Sequence, residues 1–179
     1  MAGKYDPGKH HRRSIRLRGW DYRAAGTYFV TICTHERELL FEDGRFHDIA
    51  LHAWHNIPTQ THAQGIELDA HCIMPNHTHG IVIQTQDFVF PVLDSGVPRL
   101  LSGSLGAVVG NYKSLVTRRM NNVRHARGSK VWQRGYYERI IRNERELNAI
   151  RQYIHLNPVR WAEDRDNLDN LLAKMELIL

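Results

Sequence analysis

The spacing of apolar positions changes several times along the chain, and each change marks an element. Thr27 to Thr34, TYFVTICT, is dense in β-branched and aromatic residues and predicts a first strand. From Asp48 onward, Ile49, Ala50, Ala53, Trp54 and Ile57 recur at helical spacing until Pro58 stops them. Ile66, Leu68, Ala70, Cys72 and Met74 then alternate with Glu67, Asp69 and His71, which predicts a half-buried strand with one apolar face, ending at Pro75. After a tight corner at Pro75 and Asn76, the run GIVIQ predicts a further strand. Leu105, Val108, Val109, Tyr112, Leu115, Val116 and Met120 trace an amphipathic helix whose other face carries Lys113, Ser114, Thr117, Arg118 and Asn121. VWQRGYYERIIR reads as a fourth strand. Asn143 with Glu146 forms a capping box, opening a helix striped by Leu147, Ile150 and Ile154 that Pro158 ends around Leu156.

The first six of these elements make a β-α-β-β-α-β unit. That order predicts an α+β fold, a ferredoxin-like antiparallel sheet of four to five strands with helices on one face. The whole chain, 1–179, reads as one domain with a basic arm over 1–26 and a short helix over 163–179, where Leu168, Leu171, Leu172 and Met175 recur at helical spacing. Residues 86–102, with two prolines and a glycine, read as a long excursion.

Composition narrows the function classes. With 179 residues and 42% hydrophobic content, there is enough apolar material for a core. Cys33 and Cys72 are far apart in apolar stretches, which argues against a disulfide framework or a CxxC metal knuckle and fits a reducing cytoplasm. No apolar run approaches the ~18 residues of a spanning helix, so neither a membrane span nor a secretory leader is expected. The formal charge of +5 is concentrated in Arg12, Arg13, Arg16 and Arg18, in Lys113, Arg118 and Arg119, and in Arg134, Arg139 and Arg142. Such clusters suit a polyanion, most simply nucleic acid. Trp20 and Tyr22, beside the first cluster, are aromatics able to stack on an unpaired base, while a solvated basic arm is the plainer account of the same residues.

Candidate chemistry sits in MPNHTHGIV. Alternation along a strand sends His77 and His79 to one face, the side of Ile81 and Ile83, where two imidazoles can bind one divalent ion. By spacing alone the pair is better described as ordinary polar residues at a strand entrance. A third donor must come from elsewhere, and Tyr153 and Asn157, four apart on one helix face, offer a phenol one turn before an amide oxygen. The plainer reading makes Tyr153 an interfacial aromatic and Asn157 a helix cap before Pro158.

Four stretches taken together, RRSIRLRGWDY with TYFVTICT, MPNHTHGIV, SLGAVVGNYKSLVTRRMN, and VWQRGYYERIIRNERELNAIRQYIHLNPVRW, resemble the HUH tyrosine transposases of the single-tyrosine class. The likeness is closest to the REP-associated tyrosine transposases of bacteria and spans roughly residues 12 to 161. It implies that His77 and His79 are paired metal ligands, Tyr153 is the nucleophile and Asn157 is a third ligand. Tyr136 and Tyr137 are neighbouring rivals, but in the family's pattern they belong to the strand before the nucleophile helix. It further implies Mg²⁺ or Mn²⁺ as cofactor, and cleavage and rejoining of single-stranded or hairpin DNA through a 5′-phosphotyrosine. Related enzymes work as homodimers or as monomers. Two other functions fit parts of the same pattern: a domesticated hairpin-binding protein with little or no catalysis, and a metal-dependent hydrolase using water.

Overall fold

The computed structural model describes residues 20–22, 24–87 and 103–161. Arg12, Arg13, Arg16 and Arg18, most of the 86–102 excursion and the helix expected over 163–179 lie outside the described residues. Strands β1 (Gly26–Cys33), β2 (Ile66–Met74), β3 (His77–Gln84) and β4 (Tyr137–Ile141) form one antiparallel sheet in the order β2-β3-β1-β4. The helices are α1 (Gly44–His55), α2 (Leu105–Val123) and α3 (Glu144–Leu156). This is the α+β arrangement expected, with four strands among the described residues.

Helix starts follow their caps. Helix α1 begins before Asp48 because the Asp43 carboxylate accepts from the Arg45 N–H at 2.9 Å. At α3, Asn143 Oδ1 accepts from the Glu146 N–H at 2.9 Å as the capping box requires. The Glu146 carboxylate goes instead to the Arg142 N–H and the Arg139 guanidinium, at 2.9 and 2.8 Å.

Alternation in the two central strands divides the core. Tyr28, Val30 and Ile32 of β1 and Val82 of β3 pack under α1 and α2 with Trp54, Val108, Tyr112 and Val116. Phe29 and Ile81 face the other way, against Ile150 and Ile154 of α3. The two helices of the βαββαβ unit therefore share one face, and α3 covers the opposite one. Gly80 makes the first layer possible. A Cβ there would sit 2.1 Å from Cζ2 of Trp54, so only a glycine lets the indole rest against β3.

Strand β2 departs from the expected single apolar face. Its pairing with β3 runs Leu68↔Val82 and then His71↔Gly80, so Asp69 and Ala70 together oppose one residue. This β-bulge reverses the parity. Leu68 packs with the α1/α2 layer, whereas Ala70 and Cys72 pack with α3.

Candidate active site at the paired histidines

Both histidines of MPNHTHGIV lie within β3, which starts three residues before GIVIQ. They share the α3 side of the sheet and are 6% and 0% exposed. Register supplies their supports. His79 pairs with Thr31 of β1, and its Nδ1 is hydrogen-bonded to the Thr31 hydroxyl at 2.8 Å. The ring also stacks on Phe29 with centroids 5.3 Å apart. His77 Nδ1 donates to Asn76 Oδ1 at 2.7 Å, so its Nε2 carries the lone pair. That nitrogen faces His79 Nε2 at 2.9 Å.

Helix α3 completes the group. The Tyr153 hydroxyl is 3.2 Å from His79 Nε2, and Asn157 Nδ2 donates to the Tyr153 oxygen at 2.5 Å. Asn157 caps the helix, as the plainer reading held, and its side chain also reaches the site. Its Oδ1 is buried without a hydrogen-bond partner. Two imidazole nitrogens one cation's width apart, beside an orphaned amide oxygen, form a donor set suited to a divalent ion. Two ligands at right angles and ~2.1 Å from one ion would themselves be roughly 3 Å apart. Among the described residues there is no cluster of three or more His, Cys, Asp or Glu that could hold a metal.

Electrostatics keep the site neutral. Burial pushes the His77 imidazole down to about 3, with the Arg37 charge adding to it. Burial likewise drives His79 well below the ordinary value, helped by repulsion from His77 and Arg37. Both rings are thus neutral at ordinary pH. Arg37 belongs to the turn after β1, where Glu36 and Arg37 both take positive φ, 49° and 58°. The Thr34 hydroxyl straps that turn to the Asn76 carbonyl at 2.9 Å. The Trp161 ring centroid lies 6.0 Å from that of His77.

Thr31, Asn76, Phe29, Arg37 and Trp161 were not singled out from sequence. A strand register for β1 against β3 would have found Thr31, and adjacency to His77 would have found Asn76. Of the rival tyrosines, Tyr137 packs in the α3 layer and Tyr136 in the other. The phenol hydrogen-bonded to His79 is that of Tyr153.

The basic candidates scatter. Lys113, Arg118 and Arg119 lie on α2, across the sheet from the paired histidines. Burial lowers the Lys113 ammonium pKa, and the group donates to the Gln133 and Gly135 carbonyls, each at 2.8 Å. Half-buried at the edge of a groove, it braces a loop. Arg118 is exposed and lines a groove of about 490 Å³ with Lys113, Lys130, Ser114 and Thr117, and no Asp or Glu lines that groove. Arg119, Arg134 and Arg142 are exposed, while Arg139 is paired with Glu146. Trp20, 39% exposed, donates from Nε1 to Tyr28 Oη at 3.2 Å, and Tyr22 packs against the Tyr28 ring. That places both on the α1/α2 face, away from the histidines. No helix among the described residues is long and apolar enough to cross a membrane.

Comparison with known proteins gives the geometry a context. No family model matches the chain. The fold is similar to that of a REP-associated tyrosine transposase solved bound to a REP hairpin, with a TM-score of 0.58 and 20% identity over 83% of this chain and 74% of that one. The likeness is one of fold. An uncharacterized protein of Haemophilus influenzae is 34% identical over 184 residues, which cover 94% of this chain and all of that protein. At that identity over nearly the whole of both sequences, the chain belongs to the same family as the Haemophilus influenzae protein.

Proposed function

We propose that the protein is a DNA strand transferase of the HUH tyrosine transposase kind, cleaving and rejoining single-stranded or hairpin DNA through Tyr153. The observation that carries this reading is the convergence of Tyr153 and Asn157 from α3 on the paired Nε2 atoms of His77 and His79. The resemblance of MPNHTHG and YIHLNPV to that family, and the fold shared with a transposase, support it.

Tyr153 Oη attacks the scissile phosphorus, the bond to the 3′ oxygen breaks, and a 5′-phosphotyrosine and a free 3′-hydroxyl remain. Rejoining is the reverse attack by a 3′-hydroxyl, which regenerates the phenol. The bond count is conserved, so no nucleotide cofactor is needed. Asn157 Nδ2 orients the phenol and stabilises negative charge on its oxygen as the proton leaves. Tyr153 is half-buried, so that proton can pass to water, because protonating either buried imidazole is costly. His77, His79 and Asn157 Oδ1 would hold Mg²⁺ or Mn²⁺, which when bound supplies positive charge for a non-bridging phosphate oxygen. Arg37, whose charge is felt at both imidazoles, would add to that field.

The test is a covalent, SDS-resistant adduct with hairpin-bearing single-stranded oligonucleotides in the presence of Mn²⁺. The wild type should form it, Tyr153→Phe should not, and chelator should abolish it. Tight, chelator-insensitive binding without any adduct over a broad hairpin set would overturn the reading in favour of a DNA-binding protein. Cleavage surviving Tyr153→Phe would overturn it in favour of a hydrolase.

A further inference from the structure

Helix α3 carries the phenol, and its attachment to the sheet is polar as well as apolar. In its first turn Glu146, 6% exposed, accepts from Arg139 of β4 at 2.8 Å. About one and a half turns later, Arg151 donates to Asp69 of β2 through Nε at 3.0 and 3.2 Å and through Nη2 at 2.6 Å. The second attachment exists because of the bulge. With Asp69 and Ala70 both opposite one residue of β3, the strand changes parity while presenting the carboxylate to α3. The Arg151 guanidinium holds the Asp69 carboxyl below the usual range, although burial opposes it. The same guanidinium donates from Nη1 to Asn148 Oδ1 at 3.0 Å, which fixes its orientation along the helix. Strands β2 and β4 are the two edges of the sheet, so the ion pairs grip α3 from opposite sides of the strand bearing the histidines.

We infer that Asp69–Arg151 and Arg139–Glu146 form a two-point clamp that positions Tyr153 over the imidazole pair. This rests on the proposed function for its catalytic meaning and assigns Arg139 to helix docking rather than to DNA. Arg151 lies two residues before Tyr153, so a small rotation of α3 on loss of the clamp moves the phenol directly. The apolar contacts of Ile150 and Ile154 set how closely the helix packs. A planar bidentate pair adds directional restraint about the helix axis, which dispersion lacks.

The test uses the full chain with Asp69→Asn, which keeps shape, and Arg151→Lys, which keeps charge but loses the fork. Single-turnover adduct formation at saturating hairpin DNA should slow roughly ten- to a hundredfold, as misplacement of a reacting group by about 1 Å does. DNA affinity and the far-UV spectrum should not change. The exchanged pair Asp69→Arg with Arg151→Asp should recover part of the lost rate. Hydrogen exchange at α3 amides, and the NMR signal of the Tyr153 ring, should change in both single variants whether or not the wild type forms an adduct. A wild type without adduct therefore counts against the function alone. Adduct rates within twofold of wild type, or α3 exchange and Tyr153 signals unchanged in both variants, would overturn the clamp.

Discussion

The Tyr153 hydroxyl lies 3.2 Å from Nε2 of His79, although the two residues are 74 positions apart in the chain. Nothing local enforces that contact. It depends on α3 lying over β3 in one orientation, and on His79 being held by Thr31 through its other nitrogen, so that Nε2 faces the helix.

Thr31→Val tests that hold. The methyl replaces the hydroxyl at constant shape and leaves His79 Nδ1 without a partner in a fully buried position. Thermal unfolding should show a loss of about 1–3 kcal/mol. Mn²⁺ affinity, read by electron paramagnetic resonance, should fall roughly ten- to a hundredfold, as for other residues that orient a ligand from behind. An unchanged affinity would count against Thr31 as the residue that aims His79.

Acid should destabilise the protein through the paired histidines. The folded state keeps His77 neutral down to about 3 and His79 neutral well below its ordinary value, whereas in the unfolded chain both titrate near 6.5. Above that value neither state binds the protons and the pair is neutral in effect. Below it the unfolded chain gains protons that the fold excludes, and stability drops by up to about 1.4 kcal/mol per pH unit for each ring. Stability to urea should therefore be lower at about pH 5 than at pH 7, by about 2 kcal/mol from His77 and in the same direction from His79, and the double variant His77→Gln, His79→Gln should lose most of that difference.

Gly80→Ala should be costly for a residue change of one methyl. The new Cβ would overlap the Trp54 ring, which is fully buried between β3, His71 and Tyr112 and has no room to retreat. A loss of about 1–3 kcal/mol or more is expected from the denaturant midpoint. Combining it with Trp54→Phe should cost less than the sum of the two single changes, since the smaller ring vacates the overlap.

The α2 cations should separate into two kinds. Lys113→Met should lower the melting temperature, because two loop carbonyls lose their donor, yet leave the salt dependence of DNA binding unaltered. Arg118→Ala should leave stability unaltered and reduce the slope of log affinity against log salt by about 1, the mark of one lost phosphate contact. An unchanged salt slope in Arg118→Ala would count against a phosphate contact at that residue.

Much of the frame was legible along the chain because its causes act within a few residues. The β-branched run of β1, the stripe of Ile150 and Ile154, the Asn143 cap and the stop at Pro158 each follow from backbone preferences and spacing. So does the placement of His77 and His79 on one face, a property of any strand. The β-α-β-β-α-β order then limited the sheet to a familiar topology.

What escaped was everything set by pairing across the chain. Alternation in Ile66 to Met74 looked unbroken, because a bulge depends on what the neighbouring strand offers and leaves no mark on apolar spacing. Arg139 and Lys113 read as free charge, since a sequence shows a cation but not the Glu146 carboxylate or the loop carbonyls that occupy it. The side of the sheet that α3 covers followed from burial of Phe29 and Ile81, a choice between two faces that are both apolar in sequence. The paired histidines and the helix of Tyr153 and Asn157 were thus written locally, while their meeting was decided by strand register and helix docking, whose free energies come from contacts between segments that the order of residues alone does not bring together.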